Sequence, residues 1–93
     1  MVHAFVQLDI TDPDSFDAYR EKAGEALARH GAKVLQSSRA LSALDGTPTL
    51  SQIGVILEFA SAEAARAWIN DPDLAETHQL RRDAGQCHIT LLA

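Results

Sequence analysis

Apolar and polar residues alternate along the first ten residues of the chain. Ala4, Val6 and Leu8 fall on one face, whereas His3 and the other odd-numbered residues fall on the opposite face. A period of two residues predicts a β-strand over residues 2–10. Similar short apolar segments predict three more strands at "KVLQSS", "QIGVILEF" and "CHITLL". The stretch "RALSALDGTPTLS" predicts a ragged continuation of the second strand, which closes through a turn at residues 45–46.

A helical period separates these strands. Asp12 and Pro13 favour a helix start, since an aspartate can cap the helix and proline suits its first position. Inward positions follow at helical spacing, and Gly31 favours the end: Phe16, Tyr19, Ala23, Leu27 and His30. Ser61 is expected to cap a second helix with Trp68 on its inner side.

The second helix breaks at the sequence Asn70-Asp71-Pro72, because proline lacks an N–H and disfavours helical dihedrals before it. The same residues favour a new helix start. At about 100° per residue, Leu74, Thr77 and Leu80 share its inner side. We expect Arg81 between Leu74 and Leu80, His78 at an exposed edge, and Arg82 in solvent.

The predicted order is β-α-β-β-α-β in one domain, residues 1–93. With right-handed crossovers, this order predicts an α+β, ferredoxin-like antiparallel sheet with both helices on one face.

The amino-acid composition argues against some classes of partner and indicates a cellular location. A net charge of -5 with scattered basic residues argues against nucleic acid or an anionic membrane surface as partner. No apolar run reaches the ~18 residues of a membrane span. The start of the chain lacks the features of a signal peptide, and the single cysteine, Cys87, excludes an internal disulfide. We therefore expect a cytoplasmic protein.

Candidate chemistry centres on a cleft between helices and sheet. Arg81 is expected there as a bidentate holder of an anion, or alternatively as a stem over apolar surface with its head in water. Tyr19 and His78 are the candidates for acid or base, although a core role for Tyr19 and an exposed, solvated position for His78 are the simpler interpretations. Trp68 is expected to line the same cleft.

The opposite face of the sheet holds a second set of polar residues. Antiparallel pairing of the first strand with the third and fourth predicts contacts of His3 with Glu58 and of Asp9 with His88. Such pairs suit ligand binding, general base catalysis or metal ligation, or else are ordinary cross-strand contacts within a subunit interface. No zinc-type spacing is present, so no metal site is expected. Because this face also carries Phe5, Ile56 and Leu92, we expect a homodimer to cover it.

Four segments together resemble a known family: "DITDPDSFDAYR", "HGAKVL", "LEFASAEAARAWINDPD" and the late "LRR". The chain resembles the domain-of-unknown-function 1330 family of the dimeric α+β barrel superfamily over nearly its whole length. This resemblance implies a dimer whose sheets face each other, with sites between helices and sheet. Arg20, Arg81 and Glu58 match residues of the family pattern. The chain departs from it at "QSSRA", where relatives have an arginine followed by paired glycines.

Two functions remain open from the sequence. The first is binding of a small metabolite, anionic or neutral, in the cleft, with cofactor-independent isomerase or monooxygenase-type chemistry if the protein is an enzyme. The second is a non-catalytic interaction or regulatory module with a packed interior. No catalytic signature decides between them, and no cofactor is expected.

Overall fold

Four strands and three α-helices make up the chain, and the computed structural model describes residues 1–93. The predicted order is confirmed, with the second helical region divided in two at the predicted break. The elements are β1 (Val2–Ile10), α1 (Pro13–Arg29), β2 (Lys33–Ser38), β3 (Ile53–Phe59), α2 (Ala62–Asn70), a single turn of 3-10 helix (Pro72–Leu74), α3 (Ala75–Asp83) and β4 (Gly85–Leu92).

The strands form one antiparallel sheet in the order β2-β3-β1-β4. The predicted neighbours of β1 are therefore correct, and the α+β ferredoxin-like fold is confirmed. Alternate residues of β1, namely Ala4, Val6 and Leu8, are buried on the side that the helices cover. The core centres on Phe59 of β3 and Trp68 of α2, whose ring centroids are 5.5 Å apart.

Side-chain caps fix where the helices begin. The Asp12 carboxylate accepts from the backbone N–H groups of Asp14 and Ser15, and the Ser61 hydroxyl accepts from the N–H of Ala64. Asp71 caps the 3-10 turn by accepting from Asp73 N–H at 2.9 Å. These bonds satisfy donors that the first helical turn leaves free.

Asp71 also ties the break to the end of α1. Its Oδ2 lies 2.8 Å from His30 Nε2 and 3.1 Å from Arg29 Nε. The hydrogen bond with His30, helped by that with the Asp73 N–H and by the charge of Arg29, lowers the pKa of the Asp71 carboxyl. One carboxylate therefore joins α1 to the start of α3.

The prediction that residues 39–51 continue the second strand is wrong; residues 39–52 form a single segment between β2 and β3. The segment is irregular and mostly exposed, since Pro48 cannot donate to a strand ladder and Gly46 has a φ of 73°. Leu41 nevertheless packs on the face of the sheet away from the helices. Its side chain and the ring of Phe5 come within 3.0 and 3.1 Å of the point that a Cβ on Gly54 would occupy.

The inner side of α3 differs from the predicted one. The buried residues are Leu74, Thr77, His78 and Arg81, which follow the i, i+3, i+4, i+7 pattern of one helical face. Leu80 is only half-buried. The expectation that His78 is exposed is wrong, because the buried face of α3 includes His78 and Arg81, whereas Leu80 lies at its edge.

Candidate functional site

A cavity of about 410 Å³ lies between α1 and the sheet. Its walls are mainly apolar, and it opens beside the exposed edge strand β2. The lining residues come from β1, α1, β2 and the residue that follows it, β3 and α3: Val6, Leu8, Phe16, Tyr19, Arg20, Ala23, Leu27, Val34, Ser37, Ser38, Arg39, Ile53, Val55, Leu57 and Arg81.

The sequence explains why this space is open. The α1 residues that line the cavity are spaced as one helical face. The small residue Ala23 lies near the middle of that face. Facing them on β2 are the short side chains Ser37 and Ser38. Because β2 runs antiparallel to α1, the end of β2 lies beside the start of the helix. That geometry brings Arg39, just after β2, to the ring of Phe16.

Three arginines and no carboxylate line the cavity. The guanidinium carbons of Arg20 and Arg39 lie 5.7 and 5.8 Å from the centroid of Phe16. That of Arg81 lies 5.7 Å from the Tyr19 centroid. None of the three forms a salt bridge, although the protein as a whole is acidic. The cavity is therefore a local region of positive charge with apolar walls.

Arg81 is held firmly although it has no acidic partner. Its side chain is 2% exposed, and its guanidinium lies 5.7 Å from the Tyr19 ring and 5.4 Å from the Trp68 ring. Nη1 donates to His78 Nδ1 at 2.7 Å. Nε is buried without a hydrogen-bond partner. Nη2 makes no hydrogen bond within the chain and is not fully buried, so it can donate a hydrogen bond to a ligand.

His78 does not line the cavity but stands behind Arg81. It is 1% exposed, and its Nε2 lies 2.9 Å from the carbonyl oxygen of Trp68. Because Arg81 can only donate and a carbonyl can only accept, His78 is neutral, with its proton on Nε2. Burial is the main cause that lowers its pKa, helped by the positive charges of Arg81 and Arg82. Both ring nitrogens of His78 are thus engaged within the chain, and its role as an acid or base stays a prediction.

Trp68 is also set back from the predicted cleft. Its ring meets His78 edge-on, with centroids 4.7 Å apart and an angle of 89° between planes. It does not line the cavity, contrary to expectation, and its contact with a ligand stays a prediction. Tyr19 does line it, as predicted. Trp68, His78 and Arg81 thus form a buried cluster, of which only Arg81 lines the cavity.

Sequence reasoning missed Arg39 and Phe16 as lining residues. Phe16 shares the α1 spacing with Tyr19 and was recoverable from that pattern alone. Arg39 lies in an irregular segment, where no periodicity indicates the direction of a side chain. Arg20 stood out only through the family resemblance.

The His3–Glu58 contact exists, but far from the cavity. His3 pairs with Glu58 across β1 and β3, with Nε2 3.3 Å from Oε2 on the face that the helices leave uncovered. Lys33 approaches the other carboxylate oxygen at 3.8 Å. These residues therefore cannot act on a ligand beside Arg81, and any role for them as ligand-binding residues belongs to a separate surface.

The predicted Asp9–His88 contact does not form. In the observed register, Gln7 faces His88 and Asp9 faces Gln86. Asp9 instead accepts from the backbone N–H of Gln52 at 2.8 Å, and the Gln52 side chain accepts from the Ile10 N–H at 2.9 Å. Asp9 therefore anchors the end of the 39–52 segment to β1.

A second, wider groove of about 560 Å³ runs between α1 and the start of α3. It mixes acidic and basic side chains, and its Arg29 already pairs with Asp71 and Asp73. Such a groove offers no unbalanced charge to a ligand. No group of three or more His, Cys, Asp or Glu residues is placed to hold a metal ion, and none of the helices has the length and apolar character needed to cross a bilayer.

Comparison with known proteins supports the fold. A crystal structure of RPA0582, a protein of unknown function from Rhodopseudomonas palustris, matches with 22% identity and a TM-score of 0.74, over 98% of this chain and 79% of that one. Methylated RPA0582 matches with 23% identity and a TM-score of 0.73, over 98% and 78%. No curated protein matches the chain. The model of a family described as a domain of unknown function, DUF1330, matches residues 1–93, and the protein belongs to this family.

Proposed function

We propose that the protein binds a small organic acid in the cavity between α1 and the sheet, with Arg81 as the group that holds the acid. The observation that carries this proposal is the set of three arginines, without any carboxylate, in an otherwise apolar cavity of about 410 Å³. Ligand sites are typically of this size, with apolar walls and a few convergent polar groups. The ligand class that fits is an anion with an apolar body.

Arg81 is suited to this role because its position is fixed before a ligand arrives. The rings of Tyr19 and Trp68 and the imidazole of His78 hold its guanidinium. A buried cation without a counter-ion is costly, and a ligand carboxylate would relieve that cost. Little side-chain entropy is lost on binding when the donor is already ordered.

The open cavity counts against the alternative of a module with a packed interior. Cofactor-independent proton transfer on the bound acid is a second candidate function. It is favoured by one observation, the phenol of Tyr19, which lines the cavity and whose ring lies beside Arg81. On this account Tyr19→Phe keeps binding and abolishes turnover.

The proposal includes a homodimer in the cytoplasm. The uncovered face of the sheet carries apolar side chains, of which Leu92 is 58% exposed in the single chain. A second copy of the same face is the simplest cover for such a surface. The single, half-buried Cys87 is compatible with a reducing compartment.

Calorimetric titration with octanoate, 3-phenylpropionate and benzoate, each compared with its alcohol, tests the proposal. We expect at least one acid to bind the wild-type protein and its alcohol to bind much more weakly. Arg81→Met keeps the length of the side chain but removes its charge, so affinity should fall about tenfold or more.

Arg82→Met is the matched control, since it removes the same charge from the same helix at an exposed position. It should leave affinity within about twofold. The proposal fails if Arg81→Met binds the acids as tightly as the wild-type protein, or if no acid binds better than its alcohol.

A further inference from the structure

We propose that the ligand carries two acidic groups, and that Arg20 and Arg39 form a second anion site at the ring of Phe16. This inference rests on the proposed binding of an acid by Arg81 and names its substrate class more closely. It concerns residues from two separate parts of the chain, one on α1 and one in the segment after β2.

The two side chains converge on one aromatic ring. The guanidinium carbon of Arg20 is 5.7 Å from the Phe16 centroid, and that of Arg39 is 5.8 Å from it. Arg20 lies one helical turn after Phe16 on α1, whereas Arg39 directly follows the end of β2. Both residues line the cavity.

The charges of this pair are not balanced within the chain. Arg29 and Lys33 are the basic residues that form salt bridges, with Asp71 and Asp73 and with Glu58. Arg20 and Arg39, like the other basic residues, form none, but these two share one ring in the cavity, in a protein with 13 acidic and 8 basic residues. Two like charges near one ring repel each other, and an anion that contacts both offsets this repulsion.

This second site is separate from Arg81 but belongs to the same cavity. Arg81 lies over Tyr19, whereas Arg20 and Arg39 lie over Phe16, and the centroids of the two rings are 6.5 Å apart along α1. A ligand with a single acidic group would leave one of the two cationic ends without a partner. A diacid with an apolar middle fits both ends and the apolar walls between them.

Linear acids test this inference without assuming the distance between the sites. The experiment titrates wild-type protein with the monoacids from hexanoate to decanoate and with the α,ω-diacids of equal chain length. At least one diacid should bind about tenfold more tightly than its monoacid, because a second charge-assisted contact is made. The double variant Arg20→Gln/Arg39→Gln should lose this advantage, so that it binds the diacid no more tightly than the monoacid.

Arg66→Gln serves as the control, because Arg66 is an exposed arginine of α2 that does not line the cavity. It should keep the advantage of the diacid. If monoacids bind through Arg81 but no diacid binds more tightly, or if the double variant retains the full advantage, the second site is overturned while the proposed function stands. If neither series binds, the proposed function fails and this inference fails with it.

Discussion

Arg81 donates from Nη1 to Nδ1 of His78 over 2.7 Å, and both side chains are buried. The contact requires a neutral imidazole with a free lone pair on Nδ1. The carbonyl oxygen of Trp68 fixes the proton on the other nitrogen, at 2.9 Å. The orientation of Arg81 is therefore set by the tautomer of a histidine that does not itself line the cavity.

The first prediction concerns pH. Burial lowers the pKa of His78 below its ordinary value of 6.5, so the unfolded chain binds a proton more readily than the native protein does. The stability that His78 contributes is then fully present above pH 6.5 and declines as pH falls toward its lowered pKa. We expect the thermal midpoint of the wild-type protein to drop as pH is lowered through this range.

His78→Gln should remove this part of the pH dependence, because glutamine cannot be protonated. His88→Gln is the matched control, since His88 is exposed and its side chain makes no hydrogen bond within the chain. An unchanged slope of midpoint against pH in His78→Gln would show that His78 is not responsible.

A second prediction concerns acid unfolding and Asp71. Its pKa is lowered mainly by the hydrogen bond with His30, so its contribution to stability is present above its ordinary pKa of 3.8 and is lost as pH falls below it. Asp71→Asn should lower the thermal midpoint at neutral pH by several degrees and reduce its fall in acid. Asp73→Asn should do much less, because Asp73 accepts from Arg29 alone and is 67% exposed. Equal effects of the two substitutions would contradict this account.

A third prediction compares two glycines. At Gly85, a Cβ would overlap the carbonyl oxygen of Asp9, so Gly85→Ala has to displace the backbone of β1 or β4. We expect a large loss of thermal stability or failure to fold. At Gly24, within α1, a Cβ meets nothing within 4 Å, so Gly24→Ala should stabilise by about 0.5–1 kcal/mol. Chemical denaturation measures both, and a tolerated Gly85→Ala would refute the packing argument.

A fourth prediction tests the homodimer. Leu92→Glu places a charge on the uncovered face of the sheet at a residue that is 58% exposed in the single chain, so the monomer should still fold. If that face is the dimer interface, analytical ultracentrifugation will show a shift toward monomer. Leu44→Glu makes the same substitution at a fully exposed residue of the 39–52 segment and should leave the oligomeric state unchanged. A wild-type protein that sediments as a monomer would end the proposal.

Short-range sequence patterns were enough to predict a sheet with helices on one face. The period of two in β1 and β3 settled which side chains face the helices, and it also put His3 and Glu58 on one face. The cap residues Asp12 and Ser61 located the helix starts, because a capping side chain bonds to backbone groups only two or three residues away. Such interactions are short in sequence, so the sequence alone contains them.

The tertiary structure decided the rest. A slip of two residues between strands keeps every side chain on its own face, so the alternation could not distinguish Gln7 from Asp9 as the neighbour of His88. The rotation of α3 about its axis depends on what the helix packs against, which is why His78 is buried. The meeting of Arg39 with Phe16 joins residues whose proximity arises only from the antiparallel course of α1 and β2. The charge of the cavity is thus a property of the fold, although each arginine is visible in the sequence.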